Sequence, residues 1–256
     1  MAIPQQLDSQ TAQTSLASAL PLEEARRRLI VALDVSGADA AKELVNRLEG
    51  SCQWFKVGLE LFAAAGPGIV EELVKRGHSV FLDLKFHDIP NTVAGAVRSA
   101  AMLGVRMMTL HALGGPAMLA TARAEAEKTA NPPELLAVTV LTSMDAEQLN
   151  AVGVAASPAV AAERLARLGL QAGIRGFVCS PQEAATLRSI TGPEGVLVVP
   201  GIRPAGAALG DQKRVATPAE TLRQGASYLV VGRPITQAAN PAEAARLILG
   251  EMAGAL

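Results

Sequence analysis

The chain has 256 residues, of which 50% are hydrophobic and 3% aromatic, a composition that suits one large domain with an aliphatic core or two small ones. The formal net charge of −1 at neutral pH excludes a general attraction to nucleic acid or to an anionic membrane, so an anionic ligand must be held by local cations. Cys52 and Cys179 are too few and too far apart for a disulfide scaffold or a zinc site, and no apolar run is long enough to span a bilayer, so we expect a cytoplasmic protein with reduced cysteines.

Residues 1–26 form a polar lead rich in Gln, Ser, Thr and Ala. The lead has no basic start followed by a sustained apolar stretch, so it does not resemble a secretory signal. We expect it to be partly disordered, with helix over 21–28, and to have no catalytic role. One folded domain is then predicted over residues 27–256.

From residue 29 onward, short apolar runs alternate with Ala-rich amphipathic stretches. The runs are continuous, as is typical of parallel strands buried on both faces. They lie at 29–35, 54–57, 80–84, 105–110, 135–141, 176–179, 196–199 and 228–231. Helical spacing occurs between them, for example at 40–48, 69–76, 93–103 and 158–168. This repeat predicts an α/β protein, a single-domain (β/α)8 TIM barrel, with a doubly wound open sheet as the alternative. No GxGxxG follows the first strand, which disfavours the dinucleotide-binding form of the open sheet.

Polar residues cluster at, or just after, the C-terminal ends of these runs: Asp34, Lys56, Asp83, Lys85, His111, Thr142, Arg203 and Arg233. In a barrel those ends form the mouth of the active site, while the opposite end mainly serves stability. One polar residue at one strand end carries little information. The same pattern at most of the strands predicts a site.

The segment 80–92 carries the most information about that site. Side chains alternate along a strand, so Asp83 and Lys85 are predicted to point the same way, while Leu82 and Leu84 point the other way. A proline at position 90 ends the strand, and Asp88 falls just beyond it. An isolated Asp-x-Lys pair could simply close one end of a core. A third charge nearby favours chemistry instead, because charged groups are rarely buried without partners or a function.

A second lysine, Lys56, lies inside the apolar run 54–57 and therefore needs a carboxylate or a route to solvent. Asp34 and Asp83 lie on the flanking strands, although Asp34 could instead cap the helix that follows it. A row Lys56–Asp83–Lys85–Asp88 of alternating charge would satisfy every member. We therefore predict a charged row at the barrel mouth.

Two glycine- and arginine-containing loops follow the last two strands, Pro-Gly-Ile-Arg-Pro at 200–204 and Gly-Arg-Pro-Ile-Thr at 232–236. This is the usual phosphate site of the fold, where glycines allow close approach and arginine forks match phosphate oxygens. The loop 205–217, which contains Gln212, has the length of a lid. Thr142 could read a polar ring edge or cap a helix. His111 could be catalytic, or it could be a strand-end histidine bonded to backbone.

Taken together, these segments resemble the orotidine 5'-monophosphate decarboxylase family in its bacterial form. The resemblance runs from about residue 29 to the C-terminal helix. It rests on the motifs at 32–34, 55–58, 83–92 (Asp-Leu-Lys-Phe-His-Asp-Ile-Pro-Asn-Thr), 141–144, 200–204, 210–212 and 231–234. The family implies decarboxylation of orotidine 5'-monophosphate to UMP in pyrimidine synthesis. It also implies a homodimer of barrels, no metal and no organic cofactor.

Carried over position by position, the resemblance makes Lys85 the proton donor to C6 of the pyrimidine. It places Asp83 against the substrate carboxylate, with Lys56 and Asp88 completing the charge array. Asp34 and Lys56 would hold ribose hydroxyls, and Asp88 and Thr92 would reach in from the partner subunit. The base would be read by Thr142. The phosphate would be bound by the loops that contain Pro200, Arg203, Gln212, Gly232 and Arg233.

Two other readings compete. Sugar-phosphate decarboxylases and aldolases of the same barrel group share Asp-x-Lys-x-x-Asp but require Mg²⁺; the Asp-Ile-Pro-Asn-Thr sequence and Gln212 favour the nucleotide enzyme. A non-catalytic barrel that binds a phosphate ligand is the third reading. A pure binder has no need of a lysine flanked by two carboxylates.

Overall fold

The apolar runs form eight parallel strands that close into a barrel in chain order, with β8 pairing with β1. The computed structural model describes residues 20–204 and 214–256. The strands are β1 Leu29–Ala32, β2 Trp54–Gly58, β3 Ser79–Phe86, β4 Met107–His111, β5 Glu134–Val138, β6 Gly176–Val178, β7 Val196–Val199 and β8 Tyr228–Val231. The (β/α)8 barrel is therefore confirmed, and closure excludes the open doubly wound sheet.

Helices follow the strands around the outside of the barrel. They are α1 (residues 20–28), α2 Ala38–Arg47, α3 Leu59–Ala65, α4 Gly68–Lys75, α5 Pro90–Met102, α6 Gly115–Ala126, α7 Ala146–Ala151, α8 Pro158–Gln171, α9 Ala184–Thr191, α10 Pro218–Arg223, α11 Arg233–Thr236 and α12 Pro241–Ala253. Several begin with proline in the first turn, where a missing N–H costs nothing. Ser157, Thr217 and Asn240 accept backbone hydrogen bonds as the N-caps of α8, α10 and α12.

The strands carry two separate hydrophobic layers because successive side chains point to opposite faces. One layer fills the barrel interior and consists of Ile30, Ala32, Phe81, Met107, Leu136, Val198 and Val230. The other layer, which includes Val31, Phe55 and Leu229, packs between the strands and the helices. With its interior filled by side chains, the barrel has room for a ligand only at its ends.

The helix predicted over 21–28 is present and occupies residues 20–28. It is held to the domain by Ala25, which is fully buried, so the C-terminal part of the predicted polar lead is folded here. Residues 1–19 lie outside the described residues. Within the described part of the chain, no helix has the length and apolar character needed to cross a membrane.

Candidate active site

A cavity of about 550 Å³ opens at the C-terminal ends of the strands. Its walls include nine of the residues predicted from sequence: Asp34, Lys56, Asp83, Lys85, Thr142, Pro200, Arg203, Gly232 and Arg233. They come from the ends of β1, β2, β3, β5, β7 and β8, and closure of the barrel brings those ends together. Gln212 and the rest of the predicted lid motif lie outside the described residues.

A row of alternating charge lies along one wall of this cavity. The Nζ of Lys56 donates to Asp34 Oδ1 at 2.8 Å and lies 3.7 Å from Asp83 Oδ2. The Nζ of Lys85 donates to Asp83 Oδ1 at 2.8 Å. Gly58 leaves space for the first pair, because a Cβ at that position would lie 2.7 Å from Lys56 Nζ. The row Asp34–Lys56–Asp83–Lys85 therefore pairs both lysines with carboxylates, as the buried charge of Lys56 requires.

The backbone of β3 is irregular where Lys85 leaves the strand. The strand continues to Phe86, two residues beyond the predicted run, and its register against β4 shifts between Leu82 and Phe86. Lys85 has φ +50°, the one positive φ at a non-glycine position in residues 20–204 and 214–256. Such a left-handed residue is strained and often marks a functional site. Lys85 thus reaches Asp83 through a bulge in the strand rather than through the simple alternation predicted from sequence.

Asp88 does not join the row in its own chain. Its side chain is exposed, and its Oδ1 accepts a hydrogen bond from the backbone N–H of Ile89 at 2.6 Å. The expected row Lys56–Asp83–Lys85–Asp88 is therefore wrong within one chain, where Asp34 supplies the second carboxylate. The cause is local, since the Asp88 carboxylate bonds the adjacent backbone N–H just before α5. Thr92, in the first turn of α5, is also exposed.

The loop after β7 lies directly across the barrel from β3, because three strands lie between β3 and β7 on either side of the closed sheet, and the loop after β8 is next to it. Arg203 is 9% exposed, and its guanidinium donates to the carbonyl oxygen of Ile202 at 2.8 Å. Arg233 is exposed at the start of α11. Gly201 has φ +81°, which favours glycine. The cavity thus carries two guanidinium groups on the side opposite the Asp83–Lys85 pair.

The segment after β5 is tied to the segment after β6 by Arg214, a buried residue just before α10 that was not predicted from the sequence. Its guanidinium donates to the carbonyl oxygens of Val140 and Leu141, at 3.3 and 2.8 Å, just before Thr142. It also pairs with Glu183, whose Oε2 accepts from the backbone N–H of Ser180 at 2.8 Å. This network fixes the segment that carries Thr142 at the cavity wall.

His111 is bonded to backbone, as one of the two sequence readings held. Its Nδ1 accepts a hydrogen bond from the N–H of Leu113 at 3.4 Å, and its ring stacks on His87 with centroids 5.3 Å apart. Burial, with His87 and Lys85 nearby, lowers the pKa of His111 to about 4. The imidazole is therefore neutral near pH 7 and is not the proton donor of this site.

The pKa of His111 has a consequence for stability. Between its folded pKa of about 4 and its ordinary value of about 6.5, the unfolded chain binds more protons, so the free energy of unfolding falls as pH falls. Because His111 is partly exposed, solvent screens part of this effect. We therefore expect the free energy of unfolding to fall by about 1 kcal/mol from near pH 7 to near pH 5. Urea unfolding at the two pH values measures it. His111→Asn retains an acceptor for Leu113 N–H and should show a smaller loss; an equal loss in both proteins would contradict this role.

The described residues were compared with the side-chain groups that hold metal ions in proteins. No group of three or more His, Cys, Asp or Glu side chains among them could hold a metal ion. Three carboxylates line the cavity, Asp34, Glu60 and Asp83, and lysines pair with Asp34 and Asp83. Cys179 also lines the cavity, but burial raises the pKa of its thiol, so it is a poor nucleophile.

A larger groove, of about 680 Å³, lies at the opposite end of the barrel near His78 and Arg106. Among the described residues, none that lines this groove carries a carboxylate. In this fold the N-terminal end of the strands serves stability rather than chemistry. The smaller cavity at the C-terminal end is therefore the candidate active site.

The fold and the cavity define the class of this protein as a (β/α)8 barrel with a row of lysines and aspartates at the C-terminal ends of its strands. Residues 27–248 match the sequence profile of the orotidine 5'-phosphate decarboxylase / HUMPS family. The chain belongs to this family, which confirms the resemblance seen in its motifs.

Relatives within the family are close. The chain is 53% identical over 234 residues to an orotidine 5'-phosphate decarboxylase of Moorella thermoacetica, covering 89% of this chain and 93% of that one. It is 54% identical over 229 residues to the enzyme of that name from Halorhodospira halophila, with 89% and 97% covered. A crystal structure of orotidine 5'-phosphate decarboxylase from Lactobacillus acidophilus superposes with a TM-score of 0.78 at 37% identity, covering 88% of this chain and 98% of that one.

Proposed function

We propose that this protein is a carbon–carbon lyase that converts orotidine 5'-monophosphate to UMP and CO2 in pyrimidine biosynthesis, in the cytoplasm and without a cofactor. The observation that carries the proposal is the row Asp34–Lys56–Asp83–Lys85 at the mouth of the barrel. It places an ammonium group beside a carboxylate in a cavity that also contains two arginines. A decarboxylation that leaves a carbanion needs such a cation at the reacting carbon.

Substrate binding divides between the two sides of the cavity. Arg203, Arg233 and the loop that contains Gly232 bind the phosphate, since guanidinium forks match phosphate oxygens. Asp34 and Lys56 hold the ribose hydroxyls. Thr142 reads the edge of the pyrimidine. This orientation brings C6 of the ring to Asp83 and Lys85.

The chemical step breaks the bond between C6 and the carboxylate, and the electron pair remains on C6. Lys85 stabilises the developing negative charge and then donates a proton to C6, which gives UMP. Asp83 lies beside the leaving carboxylate and repels it in the bound substrate. The same carboxylate fixes Lys85 Nζ through their hydrogen bond of 2.8 Å, so the proton donor is oriented before the substrate arrives.

Two electrostatic effects could lower the barrier: repulsion of the substrate carboxylate by Asp83 and stabilisation of the carbanion by Lys85. Repulsion between Asp83 and a substrate carboxylate at about 4 Å is worth roughly 4 kcal/mol at an effective dielectric constant near 20. Enzymes commonly lower barriers by roughly 8–23 kcal/mol. Repulsion alone is therefore insufficient, and the larger part comes from the preorganised cation at C6. Binding of the remote phosphate also lowers the barrier to the extent that it is stronger in the transition state than in the bound substrate.

The exposed position of Asp88 supports a site shared between two subunits. In its own chain Asp88 lies outside the charged row, yet it follows directly on the strand that carries Lys85. We propose that Asp88 and Thr92 complete the site of a partner subunit in a homodimer. Lys85 would then lie between two carboxylates, Asp83 of its own chain and the Asp88 carboxylate supplied across the interface.

Turnover of orotidine 5'-monophosphate in the presence of EDTA tests the proposal against its rivals. The purified protein should convert the substrate to UMP, followed by the change in pyrimidine absorbance, at the same rate with and without chelator. Activity on a sugar phosphate that requires added Mg²⁺ would favour the other branch of the family. Binding of UMP with no turnover of the substrate would favour a non-catalytic barrel.

Arg233→Ala should weaken binding of UMP far more than binding of uridine, because a charge-assisted hydrogen bond is worth on the order of 1.5–3 kcal/mol. We expect a loss of roughly 10- to 100-fold for UMP and less than about threefold for uridine. Arg203→Ala should show the same selectivity. Calorimetric titration of both ligands measures it, with the exposed α12 residue Arg246 replaced by alanine as the control. Equal losses for UMP and uridine would place the phosphate elsewhere.

A further inference from the structure

Thr109 is a fully buried polar residue inside the barrel, with 0% of its surface exposed. It lies in β4 two residues after Met107, which belongs to the interior layer, so alternation turns its side chain toward the barrel axis. It does not line the cavity itself. The hydroxyl of Thr109 is nevertheless in direct contact with the charged row.

The hydroxyl makes two hydrogen bonds whose directions follow from chemistry. The backbone N–H of Lys85 donates to Thr109 Oγ1 at 2.8 Å. Thr109 Oγ1 lies 3.0 Å from Asp83 Oδ1. An amide N–H can only donate and a carboxylate can only accept, so the hydroxyl must accept from Lys85 and donate to Asp83. One side chain thus joins the backbone of one active-site residue to the carboxylate of the other.

The position of these bonds explains why β4 needs a hydroxyl here. The register between β3 and β4 shifts between Leu82 and Phe86, so Lys85 lies where the regular ladder is interrupted. Its left-handed backbone, φ +50°, requires support from its surroundings. Thr109 satisfies the N–H of Lys85 at that interruption. The same hydroxyl holds Asp83 Oδ1, which also accepts from Lys85 Nζ.

We propose that Thr109 is a positioning residue, which fixes the bulge at Lys85 and the carboxylate of Asp83 as one unit. Its hydroxyl bonds to Lys85 and Asp83 rather than to the residues proposed to bind phosphate or ribose, so we assign its contribution to the chemical step rather than to substrate binding. This role rests on the proposed function, because it assigns Lys85 and Asp83 to the reacting carbon.

The test replaces the hydroxyl by a methyl group in Thr109→Val, which retains size and branching. We expect kcat to fall by roughly 10- to 100-fold, while KM and the affinity for UMP change by less than about threefold, since only an interaction that matters in the transition state is lost. Affinity for 6-hydroxy-UMP, whose C6 oxygen is anionic and faces Lys85, should fall together with kcat. Thr109→Ser keeps the hydroxyl and should restore most of the activity.

The matched control is Thr139→Val, since Thr139 is also buried and donates from Oγ1 to the carbonyl oxygen of Val178 at 3.0 Å. Its hydroxyl bonds to Val178 and not to the charged row, so kcat should remain near the wild-type value. If Thr109→Val does not fold, Thr109→Ala and Thr109→Ser provide the same comparison, and the alanine variant should have a kcat roughly 10- to 100-fold below that of the serine variant. A Thr109→Val enzyme as fast as Thr139→Val, or equal activity of the alanine and serine variants, would overturn the role of Thr109 alone. A wild-type protein without decarboxylase activity would overturn the proposed function and this role together.

Discussion

Lys85→Ala is expected to reduce kcat for orotidine 5'-monophosphate by at least about 10⁴-fold. A positioned general acid contributes roughly 10²–10⁴-fold, and a preorganised charge at the reacting centre contributes a further 10²–10³-fold or so. Lys85 supplies both effects, and its Nζ is held at 2.8 Å from Asp83 Oδ1. No other residue of the row has an ammonium group next to that carboxylate oxygen.

The loss should occur without loss of the fold. Alanine has the same Cβ as lysine, so the backbone at φ +50° is no more strained in the variant, and its N–H still donates to Thr109. Circular dichroism, thermal unfolding and UMP titration check this point. Lys75→Ala, at an exposed lysine on α4, controls for the loss of one positive charge. Turnover of Lys85→Ala within about tenfold of wild type would contradict the assigned proton donor.

The second large effect concerns the proposed sharing of sites between subunits. Asp88→Ala and Lys85→Ala are each expected to be almost inactive as homodimers. If Asp88 acts across a two-fold interface, a mixed dimer has one doubly mutated site and one site with both native residues. Random exchange places about half of the dimers in the mixed class, so roughly a quarter of all sites should regain native composition.

Reversible dissociation of a mixture of the two variants, followed by an assay of the reassembled protein, measures that recovery. Each variant taken through the same procedure alone is the control. Mass spectrometry of the assembled protein establishes that subunits exchanged. Exchange with no recovered activity would mean that Asp88 acts in its own barrel. Its side chain would then have to leave the N–H of Ile89 and turn toward the cavity.

The barrel and most of the site could be predicted from sequence because both depend on local patterns. Continuous apolar runs identify parallel strands, and closure of the barrel brings their C-terminal ends together whatever the details of packing. Asp34, Lys56, Asp83 and Lys85 could therefore be assigned to one cavity from their positions at strand ends. The pairing of Lys56 with Asp34 could be considered, but the sequence did not decide between that pairing and a helix cap.

The residues that could not be predicted depend on contacts between distant segments. Thr109 lies in the run Met-Met-Thr-Leu-His, where a single threonine is ordinary for a buried strand. Its role arises only from the register shift between β3 and β4, which no local pattern indicates. Arg214 pairs with Glu183 across 31 positions of sequence. Asp88 is absent from the row of its own chain because its carboxylate accepts the adjacent N–H of Ile89 instead, a local bond that the sequence pattern did not indicate.

The most direct test of the account is to carry out the reaction in deuterated water. The ammonium protons of Lys85 exchange with solvent, so the proton delivered to C6 should be a deuteron. Proton NMR and mass spectrometry of the product should show UMP with one deuterium at C6, one CO2 released per UMP formed, and no dependence on EDTA. UMP formed with ordinary hydrogen at C6, or formed at the same rate and with the same label by Lys85→Ala, would contradict protonation of C6 by Lys85.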